Sequence, residues 1–164
     1  MSDISIENTA VKLLKEKGLT VFTAESCTGG LICKLITDIS GASAVLKGGI
    51  VCYTNEIKTS VLGVKTQTIN EFTEVSEQCC AEMAERARLL SGSDFGLSVT
   101  GYASGGDGVP DAMAGVVFLG ISDLNGNDVR KVKFDGTRDG VRQSAARFLL
   151  GLLVDRIRNF KEGE

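Results

Sequence analysis

Two kinds of hydrophobic periodicity alternate along the chain. Apolar residues recur every three to four positions in six segments, the spacing that places them on one face of an α-helix. Between these segments, shorter runs of β-branched and apolar residues are typical of strands. The pattern predicts helices over 6–17, 31–39, 55–62, 66–72, 75–90 and 140–160, and strands over 18–24, 45–53, 95–101, 115–121 and 129–134.

The order of these elements predicts the fold class. The dipeptide Asn125-Gly126 separates the last two strands, which is a strong hairpin signal, so these strands are expected to pair antiparallel. Elsewhere helices alternate with strands, as they do in sheets that are covered on both faces. We therefore expect a single domain over residues 1–164, with the α/β architecture of a three-layer α/β/α sandwich around a mixed central sheet.

Polar residues follow the first three predicted strands. In α/β proteins, ligand sites lie outside the carboxyl ends of the strands. The architecture therefore predicts that the connections after these strands, at Ser26, Tyr53 and Thr100, meet at one edge of the sheet.

Composition and charge exclude several classes of protein. Hydrophobic residues make up 43% and charged residues 24% of the 164 residues. No apolar run approaches the roughly 20 residues that a transmembrane helix needs. The net charge of -3 and the pI near 5.1 provide no basic field for binding nucleic acid. The N-terminus lacks the basic and apolar segments of a secretory signal, so a cytoplasmic location is expected.

The side chains available for catalysis are restricted. Five cysteines, an odd number without a C-x-x-C pair, suggest neither a disulfide framework nor a zinc site, so no metal or other cofactor is expected. The chain contains no histidine, which excludes the Ser-His-Asp and Cys-His catalytic sets. A lysine, a tyrosine or a carboxylate must therefore activate any nucleophile.

The connection between the first strand and the second helix, residues 23–30, is the strongest candidate for a site. A helix N-terminus presents unpaired N–H groups and the positive end of the helix dipole, and Gly29 and Gly30 allow close approach to the backbone. Such a turn can bind an anion or stabilise an oxyanion, and the hydroxyls of Ser26 and Thr28 are nearby. The alternative is structural: Ser26 or Thr28 caps the helix, and the glycines ease the turn.

Ser26 is the candidate nucleophile, because N–H groups at this turn could stabilise the oxyanion that its attack creates. Its candidate base is Lys58, which follows Tyr53, because burial would disfavour the ammonium and leave an amine that accepts a proton. The alternatives are that Lys58 is an ordinary exposed lysine and that Cys27 is the nucleophile. Without a histidine partner, Cys27 is expected to pack instead. The glycine-containing loop 105–108 lacks the spacing of a phosphate-binding motif.

Five short motifs follow one another over nearly the whole chain: Ala24-Glu25-Ser26-Cys27-Thr28-Gly29-Gly30, Tyr53-Thr54-Asn55-Glu56-Ile57-Lys58, Val75-Ser76-Glu77, Thr100-Gly101 and Gly136-Thr137-Arg138. Together, and in this order, they resemble the CinA C-terminal domain family. The family includes bacterial amidohydrolases of pyridine nucleotide salvage, which convert nicotinamide mononucleotide and water to nicotinate mononucleotide and ammonia. The resemblance implies the stand-alone form, without the N-terminal domain of larger members, and a homo-oligomer, with a dimer favoured.

The resemblance also implies roles for individual residues, with a small-molecule nucleotide as the substrate. In the family's proposed mechanism a serine and a lysine form the catalytic pair, and these are Ser26 and Lys58 here. Four further residues fall on positions that the family associates with oxyanion stabilisation or substrate binding, namely Tyr53, Ser43, Thr100 and Arg138. We place Tyr53 with the catalytic residues. The predicted substrate-binding residues are Thr28, Gly29, Gly30, Ser43, Thr100, Gly101 and Arg138.

Arg138 is assigned to the substrate phosphate. A planar guanidinium offers paired donors that match phosphate oxygens. Arg138 precedes the final predicted helix, from which it could reach the same edge of the sheet as Ser26. The alternative is a surface ion pair with Asp135 or Asp139.

One segment departs from the family pattern. Members with the deamidase activity usually carry a Gly-Ile-Ala-Gly-Pro-type loop after the third strand, whereas this chain has Gly101-Tyr102-Ala103-Ser104-Gly105-Gly106. The altered loop keeps a second hypothesis open, in which the protein retains the fold and binds a nucleotide or a partner without turnover.

Overall fold

The computed structural model describes residues 5–160, so the first four and last four residues of the predicted domain lie outside the described range. Within it, every predicted helix and strand is present, although several bounds differ. The strands are β1 (Val21–Glu25), β2 (Leu46–Val51), β3 (Phe95–Gly101), β4 (Val116–Asp123) and β5 (Gly126–Lys133). The helices are α1 (Ile6–Lys17), α2 (Leu31–Thr37), α3 (Asn55–Ile57), α4 (Thr66–Phe72), α5 (Glu77–Ser91) and α6 (Arg138–Asn159), with a π-helix (Lys58–Leu62) directly after α3.

The five strands form one mixed sheet in the order β2-β1-β3-β4-β5. β1 pairs parallel with β2 and β3, whereas β4 is antiparallel to β3 and β5. Glu25, the last residue of β1, lies opposite Val51 in β2 and Val99 in β3. The carboxyl ends of the three parallel strands therefore lie side by side. The predicted α/β class, the mixed sheet and the antiparallel last pair of strands are confirmed.

Helices cover both faces of the sheet. α1, α2 and α6 pack on one face, and their apolar residues form the larger core with those of β1, β3 and β4. α4, α5 and the π-helix lie on the other face, around a smaller core that includes Leu62 and Met83. β4 is buried along its whole length, as expected for a strand that loses water from both faces. No helix within residues 5–160 is long and apolar enough to cross a membrane.

Small residues let α5 lie close to the sheet. A Cβ atom on Gly96 in β3 would overlap the carbonyl oxygen of Ala84 in α5. The neighbouring Ser98 hydroxyl donates to the Cys80 carbonyl oxygen, also in α5, at 2.7 Å. Larger side chains at these positions of β3 would push the helix away from the sheet.

Several predicted bounds are wrong, and capping interactions explain the main differences. The first strand begins at Val21 rather than at 18, because Gly18 adopts a left-handed conformation and ends α1. The last helix begins at Arg138 rather than at 140, because the Thr137 hydroxyl accepts from the Gly140 N–H and caps it. The segment predicted as one helix over 55–62 divides into α3 and the π-helix.

The hairpin between β4 and β5 is tied to α6 by a buried carboxylate. Its loop contains Leu124 and Asn125 alone, so both strands extend further into the hairpin than predicted. The buried Asp123 carboxylate accepts from the Asn125 N–H at 2.7 Å and from Arg156 at 2.6 and 3.0 Å. Burial alone would raise the pKa of Asp123, but the hydrogen bonds and the charge of Arg156 outweigh it and hold this pKa below its usual value.

Replacing Asp123 by Asn should destabilise the protein in a pH-dependent manner. Because the pKa of Asp123 is lower in the folded state, the ionised carboxylate stabilises that state above the unfolded pKa of about 3.9, and this contribution is lost as the pH falls through the folded pKa. At neutral pH the variant should lose roughly 2 kcal/mol of unfolding free energy. Urea denaturation between about pH 7 and about pH 3 should show the difference from the wild type shrinking at the acidic end.

The matched control is Asp155→Asn, which removes an exposed aspartate that pairs with Arg158 on the surface of α6. That change should cost no more than about 0.5 kcal/mol at any pH. A difference between Asp123→Asn and the wild type that stays constant with pH would contradict the role given to the ionised Asp123.

Candidate active site at the ends of the parallel strands

A cavity of about 240 Å³ lies where β1, β2 and β3 end. Its walls come from the connections that follow these strands, the segment before α5 and the start of α6. The structure brings six of the ten predicted site residues to it: Ser26, Tyr53, Lys58, Thr100, Gly101 and Arg138. The other lining residues are Cys27, Glu74, Val75, Tyr102, Ala103, Ser104 and Val109.

Ser26 and Lys58 are in direct contact in this cavity. The Nζ atom of Lys58 lies 3.1 Å from Oγ of Ser26, within hydrogen-bonding range. The Nζ atom also donates to the Cys52 carbonyl oxygen at 2.9 Å. Lys58 is only 1% exposed, which excludes the alternative of an ordinary surface lysine. Within the described residues it forms no ion pair, so its partners at this site are the hydroxyl and the carbonyl oxygen.

The π-helix positions Lys58. Thr54 caps α3, and the chain continues directly into the wider π-helical turn. Turns of this kind are rare and occur frequently at functional sites. Leu62 at the end of the turn is buried in the smaller core, while Lys58 at its start reaches Ser26. The turn therefore holds an apolar anchor and the amine in one short segment.

Alternation of side chains along β1 separates Ser26 from Glu25. Ser26 follows the strand on the side of the π-helix, whereas the Glu25 carboxylate lies on the side of α2. This carboxylate accepts from the N–H groups of Ile32 and Cys33 at 2.8 and 3.1 Å, and from the Thr28 hydroxyl at 2.7 Å. Glu25 therefore satisfies N–H groups in the first turn of α2 that have no partner within the helix.

Three predicted site residues at this turn do not line the cavity. The buried Thr28 hydroxyl donates to Glu25, so the hypothesis that Ser26 or Thr28 caps the helix is wrong. Gly29 and Gly30 have positive φ angles of 60° and 99°, a conformation that glycine adopts without strain. These three residues shape the turn, and the structure does not bring them to the cavity as substrate contacts.

The backbone of the turn leaves two N–H groups available. The Ser26 N–H donates to the Val99 carbonyl oxygen at 3.0 Å and is therefore occupied. In the described part of the chain, no other residue accepts a hydrogen bond from the N–H groups of Cys27 and Thr28, although the Cys27 N–H contacts its own thiol. Arg142 holds the carbonyl oxygens of these two residues, at 3.1 and 2.9 Å. Because a peptide plane carries C=O and N–H on opposite sides, the bond to the Cys27 oxygen also fixes the direction of the Thr28 N–H.

Arg138, in the first turn of α6, connects two other walls of the cavity. Its guanidinium donates to Tyr53 Oη at 3.0 Å and to Ser104 Oγ at 3.1 Å. It forms no ion pair within residues 5–160, so the alternative of a surface pair with Asp135 or Asp139 is wrong. The guanidinium is exposed and faces the cavity from a fixed position.

Thr100 and Gly101 bring the end of β3 against the segment before α5. The buried Thr100 hydroxyl donates to the Glu74 carbonyl oxygen at 2.8 Å, so Thr100 holds this segment in place. A Cβ atom on Gly101 would lie 2.6 Å from the Val116 carbonyl oxygen, so no side chain fits there. Both predicted residues line the cavity, and both also set its shape.

Ser43 lies away from the cavity. It belongs to the 3-10 turn Ala42–Ala44 before β2, and Leu46 at the start of β2 pairs with Val21 at the start of β1. Because β1 and β2 are parallel, Ser43 is at the edge of the sheet opposite Ser26, with the length of β2 between them. Its predicted role in binding the oxyanion or the substrate is therefore wrong within a single chain.

Cys27 lines the cavity but is poorly suited to act as a nucleophile. Burial raises the pKa of its thiol to about 11, in spite of the opposing effects of its own backbone N–H and of the charges of Lys58 and Arg142. At neutral pH the thiol is therefore protonated, and the thiolate is the reactive form. Cys27 is 7% exposed and packs in the larger core, as predicted.

Three residues that shape the site were not recognised in the sequence: Glu74, Ser104 and Arg142. Arg142 could have been predicted from the sequence, because it lies four residues after Arg138 and therefore on the same face of the last helix. Ser104 lies in the connection after the third strand, which was predicted to reach this edge of the sheet, but nothing singled out the residue itself. Glu74 had no signal, since it reaches the cavity through the folding of a segment that is distant in sequence from Ser26.

Comparison with known proteins places the chain among CinA proteins. The family model described as the CinA C-terminal domain matches residues 3–157, which include every residue that lines the cavity. A Bacillus subtilis (strain 168) protein named competence-damage inducible is 46% identical over 140 residues, or 85% of this chain and 33% of that protein. The chain spans 33% to 39% of the length of this relative and those from Caldanaerobacter subterraneus and Bacillus pumilus.

Solved structures share the fold. The competence/damage inducible protein CihA from Agrobacterium tumefaciens is 38% identical, with a TM-score of 0.84, covering 92% of this chain and 94% of that chain. A competence-damaged protein (CinA) superfamily protein from Klebsiella pneumoniae is 28% identical, with a TM-score of 0.88, covering 94% of this chain and 97% of that chain.

Thiol reagents should modify Cys27 slowly near neutral pH. Because the pKa of this thiol is about 11, the rate of alkylation by iodoacetamide should rise about tenfold for each pH unit between about pH 7.5 and about pH 9.5, without levelling off. Mass spectrometry of the peptide that contains Cys27 measures this rate. In the urea-unfolded protein, the control, the rate should level off near a pH of about 8.5. Rapid labelling of the folded protein at neutral pH would contradict the assignment.

Proposed function

The chain belongs to the CinA C-terminal domain family, and we propose that it is an amidohydrolase that converts nicotinamide mononucleotide and water to nicotinate mononucleotide and ammonia. The proposal rests on the contact between Ser26 Oγ and the buried Lys58 Nζ, in a cavity that the Arg138 guanidinium also lines. The reaction needs a nucleophile, a group that moves protons and a cation for the phosphate, and these residues supply them.

Ser26 and Lys58 account for both halves of the reaction. First, the Lys58 amine accepts the hydroxyl proton while Ser26 Oγ bonds to the carboxamide carbon. The ammonium then donates that proton to the amide nitrogen, the C–N bond breaks, and ammonia leaves behind an ester on Ser26. In the second half, water gives a proton to Lys58 and attacks the ester carbon. That proton returns to Ser26 Oγ as the nicotinate nucleotide is released.

The oxyanion is assigned to the turn after β1. Each tetrahedral intermediate carries a negative charge on the former carbonyl oxygen, which backbone N–H groups can stabilise. The N–H groups of Cys27 and Thr28 adjoin Ser26 and donate to no other residue in the part of the chain that the structure describes. Arg142 orients the second of them through the Cys27 carbonyl oxygen. These groups take the role that was predicted for Ser43.

The substrate phosphate is assigned to Arg138. Tyr53 and Ser104 accept hydrogen bonds from the guanidinium and hold it at the cavity, so little side-chain freedom is lost when phosphate binds. A guanidinium matches the geometry of phosphate oxygens with paired donors. In this arrangement Tyr53, predicted as a catalytic residue, acts by positioning Arg138.

Purified protein incubated with nicotinamide mononucleotide should release ammonia, measured with a coupled glutamate dehydrogenase assay. Ser26→Ala should reduce the rate to background, because the nucleophile is lost. Lys58→Met should lower kcat by about 10²- to 10⁴-fold, because methionine fills the buried space but cannot carry a proton. Ser43→Ala is the matched serine control and should keep the wild-type rate.

The contradictory outcome is folded protein that releases no ammonia over a wide range of substrate concentration. If pyridine nucleotides then raise the melting temperature, the second hypothesis is favoured, a nucleotide-binding or interaction protein without turnover. The altered loop 102–108 is the feature that motivates this alternative. Absence of any thermal shift would instead favour a role that involves no nucleotide.

Arg138→Ala should raise the KM for nicotinamide mononucleotide by about 10- to 100-fold, because a charge-assisted contact to the phosphate is lost. The kcat/KM for nicotinamide riboside, which lacks the phosphate, should change by less than about threefold. Steady-state kinetics on both substrates measures the contrast. Arg158→Ala, at the exposed end of α6, should alter neither value. An equal loss of kcat/KM on both substrates would show that Arg138 has a structural role. The loop 105–108 would then be the candidate for binding the phosphate.

A further inference from the structure

Glu74 brings a negative charge to the wall of the cavity. It lies in the segment between α4 and α5, and of the described residues that line the cavity it is the only acidic one. Its carboxylate makes no hydrogen bond and no ion pair with other described residues, although Arg138 and Lys58 line the same cavity. The side chain is half-buried. A half-buried carboxylate without a protein partner is available to a ligand.

The backbone holds Glu74 firmly at this position. Its carbonyl oxygen accepts from the Thr100 hydroxyl at 2.8 Å. The preceding residue, Thr73, has φ 69° and ψ 167°, a region that is otherwise almost confined to glycine. The Ser76 hydroxyl donates to the Thr73 carbonyl oxygen at 2.9 Å and stabilises this conformation. The chain therefore maintains an unfavourable backbone geometry directly beside the residue that presents the carboxylate.

Two structural explanations for Glu74 are not supported by its surroundings. The N-terminus of α5 is already capped by the Ser76 hydroxyl, and Glu77 complements the helix dipole in the first turn. Glu74 is also not hydrogen-bonded to Ser26 or Lys58, so it does not belong to the proton-transfer pair. The carboxylate is near Tyr102, another residue that lines the cavity, since burial and the negative charge of Glu74 both raise the pKa of Tyr102.

We propose that Glu74 is a specificity-determining residue that recognises the positive charge of the pyridinium ring of the substrate. This inference rests on the proposed function, whose substrate carries an anionic phosphate and a cationic ring. The lining of the cavity offers the complementary pair, a guanidinium at Arg138 and a carboxylate at Glu74. Opposite charges in a partly desolvated site attract more strongly than in water, so the ring charge becomes a basis for selection.

The oxidised and reduced forms of the nucleotide provide the test. Reduced nicotinamide mononucleotide keeps the phosphate, the ribose and the carboxamide, but its dihydropyridine ring is uncharged. Binding of both forms is measured by isothermal titration calorimetry on the Ser26→Ala variant, in which no turnover occurs. With Glu74 present, the oxidised form should bind at least about tenfold more tightly than the reduced form.

When Glu74→Gln is added, the affinities for the oxidised and reduced forms should differ by no more than about twofold. The amide keeps the size and hydrogen-bonding capacity of the side chain but removes its charge. The affinity for the reduced form should change by less than about threefold, which shows that the cavity is intact. Glu77→Gln, in the exposed first turn of α5, removes the same charge outside the cavity and should leave the ratio unchanged.

The inference is overturned if Glu74→Gln leaves the ratio unchanged, or if it weakens both forms equally, as a contact with the ribose or a structural role would do. The ammonia assay separates this from failure of the proposed function. If the wild-type protein releases ammonia but Glu74→Gln leaves the affinity ratio unaltered, only the role of Glu74 is rejected. If Glu74→Gln removes the preference for the oxidised form but the wild-type protein releases no ammonia, the role of Glu74 is supported and the proposed reaction is rejected. If neither nucleotide binds, both are rejected.

Discussion

The geometry of the site depends on the buried carboxylate of Glu25. A carboxylate at the end of a central strand requires hydrogen-bond donors, because leaving it without them in the interior would be costly. Here the donors are the first N–H groups of α2 and the Thr28 hydroxyl. The bonds hold α2 against the end of β1. Since neighbouring side chains of a strand alternate, the same bonds direct Ser26 to the opposite face, where Lys58 lies.

The burial of Lys58 is the second requirement of this arrangement. An amine removed from water needs polar partners, and Lys58 has a carbonyl oxygen and the Ser26 hydroxyl rather than a carboxylate. Within the described residues no carboxylate pairs with Lys58, so Ser26 is the side chain that this buried Nζ atom contacts. The π-helix is the local distortion that places Lys58 there.

The cavity is a composite of segments that are distant along the chain. Arg138 is held by Tyr53 after β2 and by Ser104 in the loop after β3, so the loop that departs from the family pattern also positions the guanidinium. Thr100 in β3 holds the segment that carries Glu74. Hydroxyl groups from other parts of the fold thus hold the Arg138 guanidinium and the backbone of Glu74.

Local interactions along the chain were sufficient to predict the presence of each helix and strand, though not every bound or the π-helix, since periodicity and turns involve residues that are close in sequence. The last hairpin, marked by Asn125-Gly126, is an example. The position of Ser26 at the site could be predicted for the same reason, because a strand followed by a polar turn and a helix is a local feature. The proximity of Lys58 to Ser26 was expected from its place in the sequence and from the resemblance to a family, and the structure shows the contact.

The tertiary structure decided which of the remaining residues share the cavity. Ser43 and Ser26 are both close to strand ends, but the parallel direction of β1 and β2 puts them at opposite edges of the sheet. Arg142 contributes because α6 brings it to the carbonyl oxygen of Cys27 in the turn after β1, and Glu74 contributes because Thr100 in β3 binds its backbone. Such proximity depends on strand direction and on contacts between segments that are far apart in sequence, and no local pattern of residues encodes it.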